Sequence, residues 1–168
     1  AMNEHWMGFP RSNGQAGVRN LVAVIPSCGC ALHAASLIAA QVPGAAVLSY
    51  TGGCSETEVD TENALRLLAQ FGHHPNVIGS IVVGLGCEML SYTDLANRIA
   101  TGPSPVELLV VQQLGGTRRT VEKGVTLARQ MLAPYREAIR QPCPISALTI
   151  GLECGGSDAT SGLAANPA

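Results

Sequence analysis

Short apolar runs rich in β-branched residues alternate with longer, more polar stretches along this chain. Five such runs occur: LVAVIP at 21–26, AAVLSY at 45–50, SIVVGL at 80–85, ELLVVQ at 107–112 and ALTIGL at 147–152. They are apolar almost without interruption, which is typical of strands covered on both faces of a parallel sheet. We therefore predict five strands over these ranges.

The stretches between the runs have helical character. We predict helices at 30–41, 56–71, 91–100 and 117–140. The second has apolar residues at close to helical spacing and ends before Gly72, a typical stop signal. Strands that alternate with helices require right-handed crossovers. The predicted fold is α/β and doubly wound, a mostly parallel five-stranded Rossmann-like sheet with helices on both faces, and a flavodoxin-like strand order stays open.

Length and composition fit one globular core. The chain has 168 residues, of which 46% are hydrophobic and 13% charged. We predict a lead-in segment over 1–20 and a single α/β domain over 21–168, excised from a longer chain. The low charge leaves room for a homo-oligomer interface.

Charge and hydropathy exclude several classes of partner. A net charge of −2 gives no general attraction to nucleic acid or to anionic lipid, so neither is expected as a partner. No apolar run is long enough to span a bilayer, and the first residues lack the features of a signal peptide. We expect a cytoplasmic protein, in which the six cysteines are buried small residues, ligands or reactive groups and not disulfides.

Cysteines recur directly after the predicted strands, at Cys28, Cys54, Cys87 and Cys154. Acidic residues stand near these turns, at Glu56, Glu88, Glu153 and Asp158. Because parallel strands end at one edge of the sheet, the turns are expected to border the crevice where such sheets bind ligands. Thiolates beside carboxylates suit a transition metal such as iron. The alternative is that cysteine, small and apolar, only fills turns near the core.

Within this set, Cys28 and Cys30 form the weakest case for a metal site. They are neighbouring positions at the start of a predicted helix, and such positions do not easily serve one ion. The metal hypothesis therefore depends on Cys54, Cys87 and Cys154.

A candidate anion site lies in GGTRRT at 115–120, where the fourth helix begins. Free backbone N–H groups, the helix dipole and Arg118 or Arg119 could hold a substrate carboxylate or phosphate. The predicted substrate-binding residues are Gly115, Gly116, Thr117 and Arg118. A solvated basic helix face is the alternative. His73 and His74 precede a strand, which places them at the opposite edge, and we expect them to finish a helix.

Several ordered motifs resemble the altronate and galactarate dehydratase family, in particular its second domain. They are GFPRSNGQAGVRN at 8–20, GGC at 52–54, HPNVIGSIVVGLGCE at 74–88, QQLGGT at 112–117 and GLECGGSDATSGLAANP at 151–167. The resemblance implies elimination of water from sugar acids with a divalent metal, usually Fe²⁺ with Mn²⁺ as an alternative. It also implies further domains in the same chain. Related sulfo-lyases that act on sulfolactate share the architecture.

Matched residue by residue, the family motifs fall on particular positions of this chain. They imply metal ligands at Cys54, Cys87 and Cys154, catalytic carboxylates at Glu88 and Asp158, and substrate contacts at Arg19 and Asn20. The chain departs from the family at Tyr50, where a histidine is common. Loss of a metal-binding or proton-transferring histidine there would change the function or the substrate.

The leading hypothesis is thus the second domain of a metal-dependent hydro-lyase for sugar acids, with the isolated domain expected to be inactive. The general base has no candidate in the sequence. Two alternatives belong to other classes: a catalytically silent scaffold domain, and a phosphate-binding or nucleotide-binding module. The nucleotide alternative lacks support from a GxGxxG or Walker-type motif.

Overall fold

The computed structural model of the protein describes residues 5–152 and 159–167. The strands are β1 (His5–Pro10), β2 (Ala16–Gly17), β3 (Leu21–Pro26), β4 (Ala45–Val47), β5 (Val77–Gly84), β6 (Val106–Val110) and β7 (Gln141–Pro144). The α-helices are α1 (Gly29–Ala40), α2 (Glu58–Gly72), α3 (Tyr92–Ile99) and α4 (Thr117–Leu132). Single turns of other helix types occur at Ala133–Tyr135, Ile145–Ala147 and Ser161–Ala165. None of the described helices is long and apolar enough to cross a membrane.

The centre of the molecule is a four-stranded parallel sheet in the order β4-β3-β5-β6. Numbered along the chain within this sheet, the order is 2-1-3-4, which is the flavodoxin-like alternative and not the dinucleotide-binding order. Strands β3 and β5 lie in the middle and are buried along almost their whole length. Their near-continuous apolar sequence follows from this burial, because neither face contacts water.

Helices cover both faces of the sheet, as predicted. Helices α1 and α4 enclose one apolar cluster with β3 and β5, in which Ile38, Ile81 and Ala128 are buried. Helices α2 and α3 enclose the cluster on the other face, where Leu95 and Ile99 are buried. The α/β class and the double winding are therefore confirmed.

Local sequence explains where the helices on the second face begin. The Thr57 hydroxyl accepts a hydrogen bond from the backbone N–H of Asp60 at 3.2 Å, and Ser91 does the same for Asp94 at 3.1 Å. These side chains satisfy N–H groups that a helix leaves without an internal partner. Acidic residues in both first turns further stabilise the positive ends of the helix dipoles.

The fourth helix is shorter than predicted. The prediction placed it over 117–140, whereas α4 ends at Leu132 and a 3₁₀ turn follows at Ala133–Tyr135. Pro134 is the physical reason, because proline has no N–H to donate to a carbonyl of the preceding turn, although the backbone of Ala133 is still helical. This ending was readable from the sequence.

The predicted fifth strand at 147–152 is wrong, and the five-stranded Rossmann-like sheet is not formed. The chain instead forms β7 just before this run, and β7 pairs antiparallel with β1 in a second, three-stranded sheet of order β2-β1-β7. That pairing holds the chain beside β1 and away from β6. Ile150 and Leu152 remain 72% and 65% exposed, so the apolar run has no strand to pair with in the described chain.

The second sheet involves the segment predicted as a lead-in. Trp6 pairs with Cys143, and its indole N–H donates to the Pro144 carbonyl at 3.1 Å. Arg140 reaches the same sheet, where its guanidinium donates to the Met7 and Val18 carbonyls. Within the described part of this segment, His5–Pro10 and Ala16–Gly17 thus form strands. The predicted domain boundaries themselves remain a prediction.

Candidate functional site

The carboxyl edge of the parallel sheet has a switch point between β3 and β5. From β3 the chain crosses one face through α1, and from β5 it crosses the other face through α3, so the following turns diverge. Ligands of open α/β sheets bind in the crevice at such a point. Ser27 and Cys28 form one wall here, and the turn 85–90 forms the other.

Glu88 spans this switch point. Its Oε1 accepts hydrogen bonds from the Ser27 hydroxyl at 2.5 Å and from the Leu85 N–H at 2.8 Å, and its Oε2 accepts one from the Gly86 N–H at 2.6 Å. Ser27 is fully buried. The carboxylate therefore joins the end of β3 to the turn that follows β5.

The environment keeps Glu88 ionised. Burial by itself raises the pKa of this carboxyl group, but the hydrogen bonds from Ser27 and from the backbone N–H groups of Glu88, Gly86 and Leu85 outweigh it and lower the pKa. Hydrogen bonds to a charged acceptor are short and strong, as observed here. At neutral pH the switch point thus holds a fixed negative charge.

The Cys54 turn packs against the same wall. Gly53 has a φ of +92°, and a Cβ at this position would collide with the Ser27 carbonyl oxygen and lie 3.0 Å from Cys28 Cβ. Only glycine combines this backbone conformation with such a close approach. The Gly53 carbonyl in turn accepts hydrogen bonds from the N–H groups of Met89 and Leu90, both at 3.0 Å. The turns after β3, β4 and β5 consequently form one connected rim.

Three cysteines lie near one another in this rim. Cys28 and Cys30 are close enough to Cys54 to influence the pKa of its thiol. Desolvation in the turn and these two neighbours raise the pKa of Cys54 to about 11, although its side chain reaches the surface. Cys28 is buried, whereas Cys30 is exposed. The sequence interpretation gave Cys28 and Cys30 little weight, yet these are the cysteines that the fold brings to Cys54.

Tyr50 stands at the same rim, at the position where the resemblance led us to expect histidine. Its hydroxyl donates to the two carboxylate oxygens of Glu56, each at 2.8 Å. Burial, the Glu56 carboxylate and the nearby Cys28 and Cys54 thiols all raise the pKa of Tyr50. The phenol is therefore protonated at neutral pH and acts here as a hydrogen-bond donor.

The predicted anion turn lies beside the Gly86 turn. Gln112, just after β6, approaches Gly86 so closely that a Cβ there would be 2.7 Å from its Oε1. Gly116 is the N-cap of α4, and the Arg118 side chain is 85% exposed, 3.9 Å from Glu122. The start of α4 thus lies after the same edge of the sheet as the Gly86 turn, while Arg118 points to solvent.

Arg19 and Asn20 lie at the other end of β3. Arg11 donates from Nη2 to the Arg19 carbonyl and to Asn20 Oδ1, both at 2.8 Å, and Asn76 Oδ1 accepts from the Arg19 N–H at 3.2 Å. The six residues of β3 separate this cluster from Ser27, a distance of roughly 20 Å at about 3.3 Å per residue. The fold therefore does not bring Arg19 and Asn20 to the Glu88 rim.

The remaining predicted site residues divide into two groups. Cys87 is exposed on the turn that carries Glu88, whereas Cys154, Asp158 and Glu153 lie outside the described residues. Within 5–152 and 159–167, no group of three or more His, Cys, Asp or Glu side chains is arranged to hold a metal ion. The described thiols and carboxylates alone do not complete a metal site.

Fold and rim together define the class: an α/β domain of flavodoxin-like strand order, with glycine and cysteine turns gathered at the carboxyl edge of its sheet. The chain belongs to the D-galactarate dehydratase/altronate hydrolase family, whose second-domain model matches residues 8–136. Residues 145–168 match the model of the C-terminal part of D-galactarate/altronate dehydratase. This range includes the apolar run at 147–152.

Characterised relatives agree with this membership. The chain is 36% identical over 177 residues to altronate dehydratase of Bacillus subtilis and 33% identical over 170 residues to that of Escherichia coli, which covers 98% and 95% of this chain. It is 32% identical over 162 residues to the (2R)-sulfolactate sulfo-lyase subunit beta of Chromohalobacter salexigens, covering 96% of this chain. The chain spans 35%, 34% and 41% of these relatives. No solved structure matches it significantly.

Proposed function

We propose that this chain is part of a hydro-lyase that removes water from a sugar acid such as altronate or galactarate. The observation that carries the proposal is the second-domain match over residues 8–136, together with relatives named altronate dehydratase over nearly the whole chain. Because the chain spans about a third of those relatives, activity is expected of the full-length protein and not of this domain alone.

Dehydration of this kind has three chemical requirements. A base removes the proton α to the carboxylate, a positive charge stabilises the enediolate, and an acid assists the departure of hydroxide. The Tyr50 hydroxyl at the rim keeps its proton and donates a hydrogen bond to Glu56, which supports Tyr50 as a hydrogen-bonding substitute for the histidine implied by the family resemblance. Asp158 keeps its proposed catalytic role, and the base is expected outside the described residues.

The substrate carboxylate is proposed to bind at the start of α4. Gly115 and Gly116 would shape the turn, because their own N–H groups donate to the Gln112 and Val111 carbonyls at 3.3 and 2.9 Å. Thr117 would present its backbone N–H in the first turn of the helix, and Arg118 would add positive charge. Support comes from the placement of this turn next to the Gly86 turn and from the absence of acidic side chains in the first turn of the helix. The Glu88 carboxylate is bound by the Leu85 and Gly86 N–H groups and does not take a donor from the first turn of α4.

The metal is proposed to be divalent, with Fe²⁺ favoured over Mn²⁺ because thiolates are soft ligands. The proposed ligands are Cys54, Cys87 and Cys154. The convergence of Cys54 with two further thiols supports the choice of this edge. When bound, such an ion would supply positive charge to stabilise the enediolate.

The test compares metal content and turnover of the full-length protein, purified without oxygen, with altronate and galactarate as substrates. Cys87→Ser is expected to lower bound iron or turnover by about tenfold, a loss of about 1.4 kcal/mol in binding or in transition-state stabilisation. Cys143→Ser is the matched control, because Cys143 is buried in β7 and far from the rim in the fold. Wild-type iron and turnover in Cys87→Ser would contradict the assignment of Cys87.

A sulfo-lyase is the second candidate, and the 32% identity to a sulfolactate sulfo-lyase subunit favours it. The two reactions differ only in the leaving group, so release of sulfite from (2R)-sulfolactate would separate them. A non-catalytic scaffold or anion-binding domain predicts neither reaction. Thermal shifts with sugar acids, phosphate and nucleotides test it, because a ligand selective for the folded state raises the melting temperature.

A further inference from the structure

We propose that Glu88 is a positioning residue that locks the turns carrying Cys87 and Cys54 together, and that it does not transfer a proton in the reaction. The inference rests on the proposed function for its catalytic meaning, but its structural part stands on the contacts of Glu88 alone. It revises the catalytic role expected for Glu88 from the family motif.

The lone pairs of Glu88 are directed into the protein. The carboxylate accepts hydrogen bonds from Ser27, Leu85 and Gly86, at 2.5, 2.8 and 2.6 Å. The geometry of these donors depends on Gly86, whose φ of +123° turns its N–H towards the carboxylate. A general base must instead direct a lone pair at the proton it removes.

The contacts of Glu88 couple two separate turns of the rim. Its carboxylate bonds to Ser27, which is fully buried and whose N–H also donates to the Val83 carbonyl at 3.0 Å. The two residues after Glu88 donate their N–H groups to the carbonyl of Gly53, the residue before Cys54. Loss of the carboxylate would therefore release the Cys87 turn from β3 and, with it, the Cys54 turn from the Cys87 turn.

Hydrogen exchange of this chain tests the structural part directly. Glu88→Gln and Ser27→Ala are compared with wild type, and Glu107→Gln, an exposed charge removal on β6, is the control. We expect the amides of Met89 and Leu90 to exchange at least about tenfold faster in Glu88→Gln than in wild type. Losing hydrogen bonds to a charged carboxylate should shift the local opening of this turn by about that factor, and exchange occurs from the open state. Ser27→Ala removes one of the three donors and should show a smaller increase.

The catalytic part is tested in the full-length protein with a substrate that the wild type turns over. Glu88→Gln is expected to lower kcat more than it changes KM, while both limbs of the pH profile of kcat keep their midpoints. Loss of the acidic limb in Glu88→Gln would identify Glu88 as the base and overturn the proposal. Unchanged exchange of Met89 and Leu90 would overturn the coupling of the two turns.

Two further outcomes keep the inference separate from the proposed function. If no sugar acid or sulfolactate is turned over by the wild type, the proposed function fails, while hydrogen exchange still decides the structural part. If Glu88→Gln does not fold, judged by circular dichroism, Ser27→Ala carries both measurements, because it keeps the carboxylate and its two backbone donors.

Discussion

Helices α1 and α4 both begin at the rim and contact each other through Ile38 and Gly124. The variant Gly124→Ala tests how closely the two helices pack. A Cβ at Gly124 would collide with Ile38 Cδ1 and lie 2.8 Å from its Cγ1. Ile38 is fully buried and so has little freedom to move. Alanine stabilises a helix interior by about 1 kcal/mol relative to glycine, whereas overpacking costs about 1–3 kcal/mol. The added Cβ would press on two carbons of Ile38, so the upper half of the overpacking range applies. After the gain in helix propensity is subtracted, we expect the free energy of unfolding to fall by about 1–2 kcal/mol.

Urea unfolding followed by circular dichroism measures this loss of unfolding free energy. For a domain of this size, each kcal/mol lost lowers the melting temperature by about 2–4 °C. Ile38→Val removes Cδ1 and should offset part of the loss, so that the double variant is more stable than the sum of the single changes by at least about 0.5 kcal/mol. Thr126→Ala, at an exposed position of α4, is the control and should be neutral or slightly stabilising. A Gly124→Ala protein about 1 kcal/mol more stable than wild type would refute close packing of these helices.

Two further changes test the sheet and the switch point. The Ser80 hydroxyl in β5 is buried and has no hydrogen-bond partner among the described residues. Ser80→Ala should therefore raise the free energy of unfolding by up to about 1–2 kcal/mol. A fall of more than about 1 kcal/mol would mean that the hydroxyl has a partner. For Glu88 the folded pKa is lowered, so its stabilisation is full above the usual carboxyl pKa of about 4.3 and is lost as pH falls through the folded value. The stability advantage of wild type over Glu88→Gln should therefore shrink below about pH 4 in urea titrations, and an advantage unchanged at pH 3 would contradict an ionised Glu88.

The apolar runs predicted those strands that are buried on both faces. β3 and β5 lie in the middle of the sheet, and their sequences are apolar because burial demands it. The run at 147–152 has the same composition but is exposed at Ile150 and Leu152, because a strand also needs a neighbour with free N–H and C=O groups. Composition alone does not supply that neighbour.

The second sheet had no local signal at all. Strand β1 pairs with β7 from the far end of the described chain, with His5 opposite Pro144. Neither segment is long, strongly apolar or regularly alternating, and each is stabilised by the other. In contrast, the end of α4 at Leu132 was available in advance from Pro134.

For the site, the position of cysteines after strands was sufficient to place the rim, because parallel strands end at one edge. It was not sufficient to choose among the thiols. The Cys54 turn lies against Ser27 and Cys28 because Gly53 permits a close approach that a residue with a side chain would not.

By itself, the sequence determined the α/β class, the two helical faces and the edge at which glycine and cysteine turns gather. Each of these follows from hydrophobic patterning and from the direction of parallel strands, which are local properties. Tertiary structure decided the strand order, the sheet formed by β1 and β7, and the inward orientation of the Glu88 carboxylate onto Ser27. These features depend on contacts between residues that are distant in the chain. A hydrogen bond stabilises the fold only if folding brings its donor and acceptor together, and the sequence alone does not show which groups meet.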